Sequence, residues 1–177
     1  DLAVATGSPQ WGEAAQYPWL QGGIPSYALE MKRLVDYLAD QQPDAKIALL
    51  RQNDDFGDAY ENALAELTAD NDMEVVATET YDAQASTDTK AQVDKLAQSD
   101  ATVFINGASG SQCPNTLKFV PDDWDVLTYV SITCTSKLAL SLAGGKDEGI
   151  ISTQAALDPA TPADAKEPKM AEFLTES

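Results

Sequence analysis

The sequence predicts an α/β domain with a doubly wound, mostly parallel five-stranded sheet and helices on both faces. Three observations support this fold. Short runs rich in β-branched and aromatic residues recur along the chain, amphipathic stretches separate them, and Asp, Asn, Gly or Pro bounds each run. Strand, helix and strand repeated in this order favour parallel strands joined by right-handed crossovers.

Five segments have the composition and length of strands. They are KIALLR (46–51), MEVVATET (73–80), ATVFING (101–107), VLTYVS (126–131) and GIISTQAAL (149–157). With helical stretches between them, these segments supply the five strands of the predicted sheet.

The helical stretches show the expected periodicity. Residues 26–41 and 57–70 place apolar side chains on one helical face and charged side chains on the other. Residues 86–100 open with Ser and Thr, which commonly cap a helix, and carry apolar residues at helical spacing. A fourth helix is predicted to begin near Asn115.

The two ends of the chain fit this pattern less well than the middle. Residues 26–157 hold all the predicted strands and helices of one α/β lobe. Residues 1–25 are irregular after one short possible strand, and residues 158–177 begin with a Pro- and Ala-rich linker before a last helical turn or two. Both ends are therefore interpreted as connections to another part of a protein.

Composition and charge exclude several partners. With 29 acidic and 11 basic residues the formal charge is -18, so contact with a phosphate backbone would meet strong repulsion, and no nucleic acid partner is expected. The charge fits solubility in a crowded or salty exterior. The apolar runs are far shorter than the roughly 20 residues that span a bilayer, so no membrane insertion of this segment is predicted.

Several kinds of catalytic site are also excluded. The chain contains no histidine, which removes Ser-His-Asp chemistry, His-bound zinc and imidazole acid–base catalysis. The glycine-rich segment NGASGSQC (106–113) has neither the dinucleotide-binding spacing nor the P-loop lysine. Carboxylates are so plentiful that a glycosidase-like acid pair stays open. No enzymatic activity, cofactor or metal is predicted.

The segment RQNDDFGDAY (51–60) crowds acids beyond the carboxyl end of a strand, where ligands bind in open α/β sheets. A calcium loop is excluded, because counting back from Gly57 places Phe56 and Gln52 at ligand positions. Helix capping explains the acids better, because Asn53, Asp54 and Asp55 stand at the start of the helix and offset its dipole.

A phospho-receiver domain is a further alternative, since that fold also places an acid pair after its first strand. The phospho-accepting aspartate should follow the third strand. This chain has Asn106 and Gly107 at that point, and the fifth predicted strand carries no matching lysine. The receiver alternative is therefore the weaker one.

The order of four segments resembles a known family. NDDFGDAYENALAEL, TYDAQASTDTKAQVDKL, SDATVFINGA and GIISTQAALDP follow one another as in the second lobe of type I periplasmic binding proteins, in particular the branched-chain amino acid group of ABC-transporter solute receptors. In that group an acid–aromatic–Gly triplet follows a strand, an Asp opens the next helix, and D-x-V-F leads the third strand. DFG, Asp88 and DATVF stand in those places.

The resemblance covers nearly the whole chain, which corresponds to roughly half of a full receptor. It implies that residues 1–25 are a remnant of the first lobe and its crossover, that residues 26–157 are the ligand-binding lobe, and that residues 158–177 are a linker and the start of a return helix.

The resemblance also implies ligand contacts. Ala5, Thr6 and either Gly7 or Ser8 stand where backbone groups and hydroxyls of relatives hold the ligand carboxylate, which suits charge-assisted hydrogen bonds. Four further candidates lie in the second lobe or at its entry. They are Ser26 and Tyr27 at the start of the first long helix, Phe56 against the ligand side chain, and Asn106 after the third strand.

One departure from the family concerns the ligand ammonium. Amino acid receptors of this group place an acid just before the helix-opening Asp, whereas this chain has Ala85, Ser86 or Thr87 there. Asp82 is the candidate to replace it. Otherwise an aromatic acid, an amide or another small solute becomes credible in place of a typical α-amino acid.

From the residues alone, Cys113 and Cys134 are compatible with one disulfide or with two buried thiols. The resemblance places them at the same edge of neighbouring strands, where a bridge is expected. It would close a loop of about 20 residues and contribute on the order of 3 kcal/mol.

The resemblance implies a non-catalytic, solute-binding component of an ABC uptake system. Its expected ligand is a small amino acid-like or organic-acid solute bound between two lobes, and its expected partner is a membrane permease. Its expected location is extracytoplasmic, either periplasmic or at the cell surface. Attachment to the membrane by a lipid on a missing N-terminus is one version of this expectation. The alternatives are a ligand-sensing regulatory domain of the same fold and the phospho-receiver-like domain.

Overall fold

The computed structural model describes residues 4–85, 88–158, 161 and 163–176. Its helices are α1 (Tyr27–Gln41), α2 (Asp55–Thr68), α3 (Lys90–Leu96), α4 (Gln112–Phe119), α5 (Lys137–Leu140) and α6 (Pro168–Glu176). Its strands are β1 (Lys46–Gln52), β2 (Glu74–Tyr81), β3 (Val103–Gly107) and β4 (Leu127–Val130). Short 3-10 helices cover Pro9–Gly12, Ile132–Cys134, Ser141–Ala143 and Asp164–Lys166.

The four strands form one parallel sheet in the order β2-β1-β3-β4. The strand order reverses at β1, since β2 lies on one side of it and β3 on the other. In open α/β sheets such a switch point opens a crevice at the carboxyl ends of the strands. Gln52 at the end of β1 lies opposite Tyr81 of β2, and the neighbouring Arg51 lies opposite Gly107 of β3.

The core has two halves, one on each face of the sheet. Along β1, Ile47 and Leu49 pack in the cluster with α1 and α2, whereas Ala48 and Leu50 pack in the cluster with α3 and α4. Alternate side chains of a strand point to opposite faces, so a strand covered on both faces is apolar throughout. The predicted doubly wound α/β fold is confirmed.

The predicted fifth strand over residues 149–157 was wrong. Only one isolated bridge joins Ile151 to Tyr129 of β4. Gly149 lies two residues earlier with φ of 76°, outside the extended region, so a regular strand cannot include it. Directly after Ile151, Ser152 Oγ donates to the Val130 carbonyl at 2.8 Å and thus competes with backbone amides for that acceptor.

Several helix boundaries differ from the predicted ones, and α3 covers only Lys90–Leu96 of the predicted 86–100 stretch. α2 begins at Asp55 because the Asp54 carboxylate accepts a hydrogen bond from the Gly57 amide at 3.2 Å, which makes Asp54 the cap. α4 begins at Gln112, one turn before the predicted Asn115. The predicted capping residues Ser86 and Thr87 lie outside the described residues.

The N-terminal segment packs against the start of α1. The Tyr27 amide donates to the Gly7 carbonyl at 2.9 Å. A Cβ on Gly7 would lie 2.6 Å from the Pro25 carbonyl oxygen, so only glycine permits this approach. Across the described ranges, no helix combines the length and the apolar character needed to cross a membrane.

Candidate functional site

Hydrogen bonds tie together the carboxyl ends of β1, β2 and β3. Gln52 Oε1 accepts from the Tyr81 hydroxyl at 2.8 Å and from Ser109 Oγ at 2.9 Å. Gln52 Nε2 donates to the Asp54 carboxylate. Burial raises the pKa of Tyr81 to about 12, so this tyrosine stays a neutral hydrogen-bond donor at physiological pH. The network fixes the loops on both sides of the switch point.

The acids of the 51–60 segment serve the helix and its neighbours. Asp54 caps α2, as predicted, and Asp58 lies in its first turn with its carboxylate 2.7 Å from Arg51 Nη1. Gly57 is required here because a Cβ at that position would collide with the Gln52 carbonyl oxygen. Among the residues described, no group of three or more His, Cys, Asp or Glu side chains could hold a metal.

Phe56 is part of a buried aromatic cluster. Its ring centroid lies 4.6 Å from that of Tyr27 and 4.9 Å from that of Tyr60. Only 7% of Phe56 is exposed, so most of its surface is already used by core contacts. Its role as a ligand contact stays a prediction.

The N-terminal ligand candidates line a cavity of about 400 Å³, called the first cavity. Its walls include Thr6, Ser8 and Ser26. Thr6 Oγ1 accepts from the Ser8 amide at 3.2 Å and lies 3.3 Å from the Tyr27 hydroxyl. Ala5 is exposed next to this cavity and is not among its lining residues. The structure thus brings three of the predicted hydroxyl residues together.

Asp82 and Asn106 are placed differently. Asp82 Oδ1 accepts from the Gln84 amide at 2.9 Å within the turn after β2. Asn106 is 0% exposed, and its amide donates to the Cys113 carbonyl at 3.1 Å while its Oδ1 accepts from the Ala108 amide at 3.3 Å. Asn106 therefore shapes the β3–α4 turn, and its role as a ligand contact stays a prediction.

The two cysteines form a disulfide in the structure. Their Cα atoms lie 6.2 Å apart, and 21 positions separate them in sequence. Cys113 belongs to the first turn of α4, and Cys134 ends the 3-10 helix that follows β4. The bridge therefore holds the segment beyond β4 against α4.

A larger cavity of about 760 Å³, called the second cavity, was missed by sequence reasoning. It lies beyond β4, and its walls combine hydroxyls with apolar groups: Val130, Thr133, Thr135, Ser136, Leu138, Leu140, Ile150, Ile151, Ser152, Thr153 and Thr161. Gln154, Lys137 and Asp158 complete it, and Lys137 Nζ lies 3.6 Å from Asp158 Oδ2. The available signal was the density of Ser and Thr in SITCTS (131–136) and ISTQ (151–154).

Side-chain contacts connect the two cavities. From Thr6 the path runs to Tyr27, whose ring centroid lies 5.8 Å from that of Tyr60. The Tyr60 hydroxyl donates to Ser131 Oγ at 3.0 Å, and Ser131 Oγ lies 2.9 Å from Thr133 Oγ1 in the wall of the second cavity. Both cavities therefore border the same buried aromatic cluster.

Comparisons with known proteins identify the family. The sequence profile described as periplasmic binding protein matches residues 2–174. Among curated proteins, no sequence relative matches the chain.

Solved structures share the fold. A substrate-binding periplasmic protein from Ralstonia solanacearum gives a TM-score of 0.77 at 17% identity, over 98% of this chain and 47% of its own. An extracellular ligand-binding receptor from Rhodopseudomonas palustris gives 0.71 at 20% identity, over 86% and 44%. A branched-chain amino acid ABC transporter from Thermus thermophilus with bound valine gives 0.63 at 19% identity, over 72% and 33%.

The chain spans less than half the length of these three structures, with coverage of 47%, 44% and 33%. At such identities the structural likeness shows the fold, and the profile match over nearly the whole chain shows the family. The chain therefore belongs to the periplasmic binding proteins of type I.

Proposed function

We propose that the chain is the main part of one lobe of a solute-binding receptor for an ABC uptake system. The observation that carries this proposal is the match of residues 2–174 to the periplasmic binding protein profile. In a two-lobed receptor of this kind, the solute enters a cleft between the lobes and closure buries it. Binding without turnover is the proposed role.

The proposed division of the chain follows the predicted boundaries. Residues 26–157 supply the ligand-binding lobe, residues 1–25 are a remnant of the first lobe and its crossover, and residues 158–177 are a linker and the start of a return helix. The disulfide between Cys113 and Cys134 supports an extracytoplasmic location, where oxidised cysteine pairs persist. A membrane permease is the proposed protein partner.

The proposed solute is a small amino acid-like molecule or organic acid. The start of α1, with Ser26 as its cap, borders the first cavity, and a helix N-terminus favours an anionic group. Thr6 and Ser8 add a hydroxyl each. The Thermus thermophilus neighbour with bound valine supports an amino acid-like solute.

The second cavity is the other candidate location for such a solute. Its hydroxyls provide hydrogen-bond partners, its leucine and isoleucine side chains provide apolar contact, and Lys137 and Asp158 provide opposite charges. A molecule with both an ionic end and an apolar body fits these walls.

Titration calorimetry with valine as the probe tests whether this chain supplies only one side of the binding cleft. Because the opposing lobe supplies the other walls, the 177-residue chain is expected to bind valine weakly or not measurably. A longer chain that contains both lobes is the matched comparison. Tight binding of valine by the 177-residue chain alone would contradict the proposal of a shared cleft.

A further inference from the structure

Glu30 is a buried acid that joins α1 to the end of β4. It is 3% exposed and lies in the first turn of α1. Its Oε1 accepts a hydrogen bond from the Tyr129 hydroxyl at 2.6 Å and another from the Ile132 amide at 2.7 Å. These bonds connect positions 99 and 102 residues apart. The carboxyl group thus anchors the segment that leaves the sheet after β4.

The second oxygen of this carboxyl differs from the first. Within the described part of the chain, Glu30 Oε2 is buried and has no hydrogen-bond partner. The Tyr60 hydroxyl of α2 faces the same carboxyl, but its own proton is donated to Ser131 Oγ. Because Oε1 already accepts two hydrogen bonds, Oε2 is the oxygen that carries the proton when the carboxyl is neutral.

The charges around Glu30 also favour its neutral form. The groups that face it are Tyr129 from β4, Tyr60 from α2 and the Ile132 amide from the 3-10 helix, and none of these is a cation. Burial without a positive partner disfavours a carboxylate and raises the pKa of Glu30, although Tyr129, Tyr60 and the Ile132 amide act in the opposite direction. Burial raises the pKa of both tyrosines as well, so they stay neutral.

Two short hydrogen-bonded paths lead from Glu30 to the second cavity. Tyr129 lies between Glu30 and Thr153, with the tyrosine hydroxyl 3.0 Å from Thr153 Oγ1. Ile132 lies directly before Thr133 in the chain. Thr133 and Thr153 both line the second cavity, so the hydrogen bonds of Glu30 lead to two parts of the same wall.

We propose that Glu30 is a positioning residue that acts as a proton-dependent latch. Its protonated side chain holds the 131–135 and 151–153 segments in place, and its ionisation loosens this wall of the second cavity. The effect on solute affinity rests on the proposed function, whereas the latch itself is a property of this chain.

The direction of the pH effect follows from linkage. A carboxyl whose pKa is higher in the closed state binds more protons there than in the open state. The stabilisation is complete below the ordinary glutamate pKa of 4.5, decreases as pH rises, and is lost once pH has passed the raised pKa of the closed state.

Carbon-13 NMR of the 177-residue chain, with glutamate labelled at Cδ, tests the protonation. One resonance is expected to titrate above the ordinary range and to disappear in Glu30→Gln. The matched control is Glu66→Gln, which alters an exposed acid on α2 and is expected to leave that resonance in place. A Glu30 resonance that titrates at or below the ordinary glutamate pKa overturns the proposal.

Amide hydrogen exchange tests the latch. After correction for intrinsic rates, exchange at the hydrogen-bonded amides of Ile132 and Ile151 is expected to rise by up to about tenfold per pH unit between pH 4.5 and the raised pKa, and then to level off. In Glu30→Gln, which is neutral at every pH, this rise should vanish. If exchange at both amides of the unmutated chain does not change across the Glu30 titration, the latch is contradicted. This outcome does not depend on whether the variant folds. Neither measurement uses a solute, so failure here is distinct from failure of the proposed function.

Discussion

The Tyr60 hydroxyl donates a hydrogen bond to Ser131 Oγ at 3.0 Å, in a buried contact that spans 71 positions of the sequence. It joins α2 to the segment beyond β4 that forms one wall of the second cavity. The same tyrosine ring contacts Tyr27, which borders Thr6 of the first cavity. One buried side chain thus lies between both parts of the candidate site.

Replacing Tyr60 by phenylalanine removes this bond and keeps the ring. We expect the free energy of unfolding to fall by about 1 kcal/mol, because a buried hydrogen bond is lost while the packing stays. Urea unfolding followed by circular dichroism measures the change. Tyr37→Phe is the control, since Tyr37 is 44% exposed on α1 and should change stability little. An equal loss in both variants would contradict the role given to the Tyr60 hydroxyl.

Asp54→Ala removes the cap of α2. The Gly57 amide then loses its side-chain acceptor, and we expect a loss of about 1 kcal/mol in the free energy of unfolding. Asp54→Asn keeps an oxygen acceptor and should retain most of the stability. Thermal unfolding of the two variants checks this order. An equal loss of stability in Asp54→Asn and Asp54→Ala would argue against capping as the function of this acid.

Replacing both Cys113 and Cys134 by alanine removes the disulfide. The expected loss is about 3 kcal/mol, because the bridge restricts the unfolded chain. The check is a comparison of unfolding midpoints with and without a reducing agent. Reduction should destabilise the unmutated chain and leave the double variant unchanged. An unmutated chain insensitive to reductant under unfolding conditions would show that the bridge does not contribute as stated.

Salt should stabilise this chain. With a formal charge of -18, the folded state carries acidic side chains that repel one another, and dissolved ions screen that repulsion. We expect Tm to rise by more than about 5 °C between about 0.1 M and about 2 M KCl. Calorimetric scans at a fixed pH measure it. A Tm that is flat or falls across this range contradicts repulsion as a limit on stability.

The sequence predicted the fold well because its signals are local. Each of the four strands contains β-branched or aromatic residues, and each is short enough to be bounded by its own turn residues. The segment after Gly149 has the same composition, yet only Ile151 pairs with β4. There the Ser152 hydroxyl donates to the Val130 carbonyl in place of a backbone amide, and composition does not reveal such a contact between positions 22 residues apart.

The candidate site was harder to predict because its walls come from separate loops. Thr6, Ser8 and Ser26 were found through the family resemblance, and the structure brings them to one cavity. Asn106 stands at the end of a strand, as a ligand contact would, but the β3–α4 turn covers it completely. Thr133 lines a cavity with residues more than a dozen positions away, a grouping that only the fold creates.

The proposed function places a small solute at the second cavity, beyond the carboxyl end of β4. Its most direct test is native mass spectrometry of a chain containing both lobes, purified without added ligand. The control, Thr102→Val, alters a hydroxyl that lies before the amino end of β3, at the opposite edge of the sheet. We expect a bound small molecule on the unmutated protein and on the control, and its loss from a Thr133→Val, Thr153→Val double variant. A small molecule retained equally by the double variant, or absent from the unmutated protein, would contradict the claim.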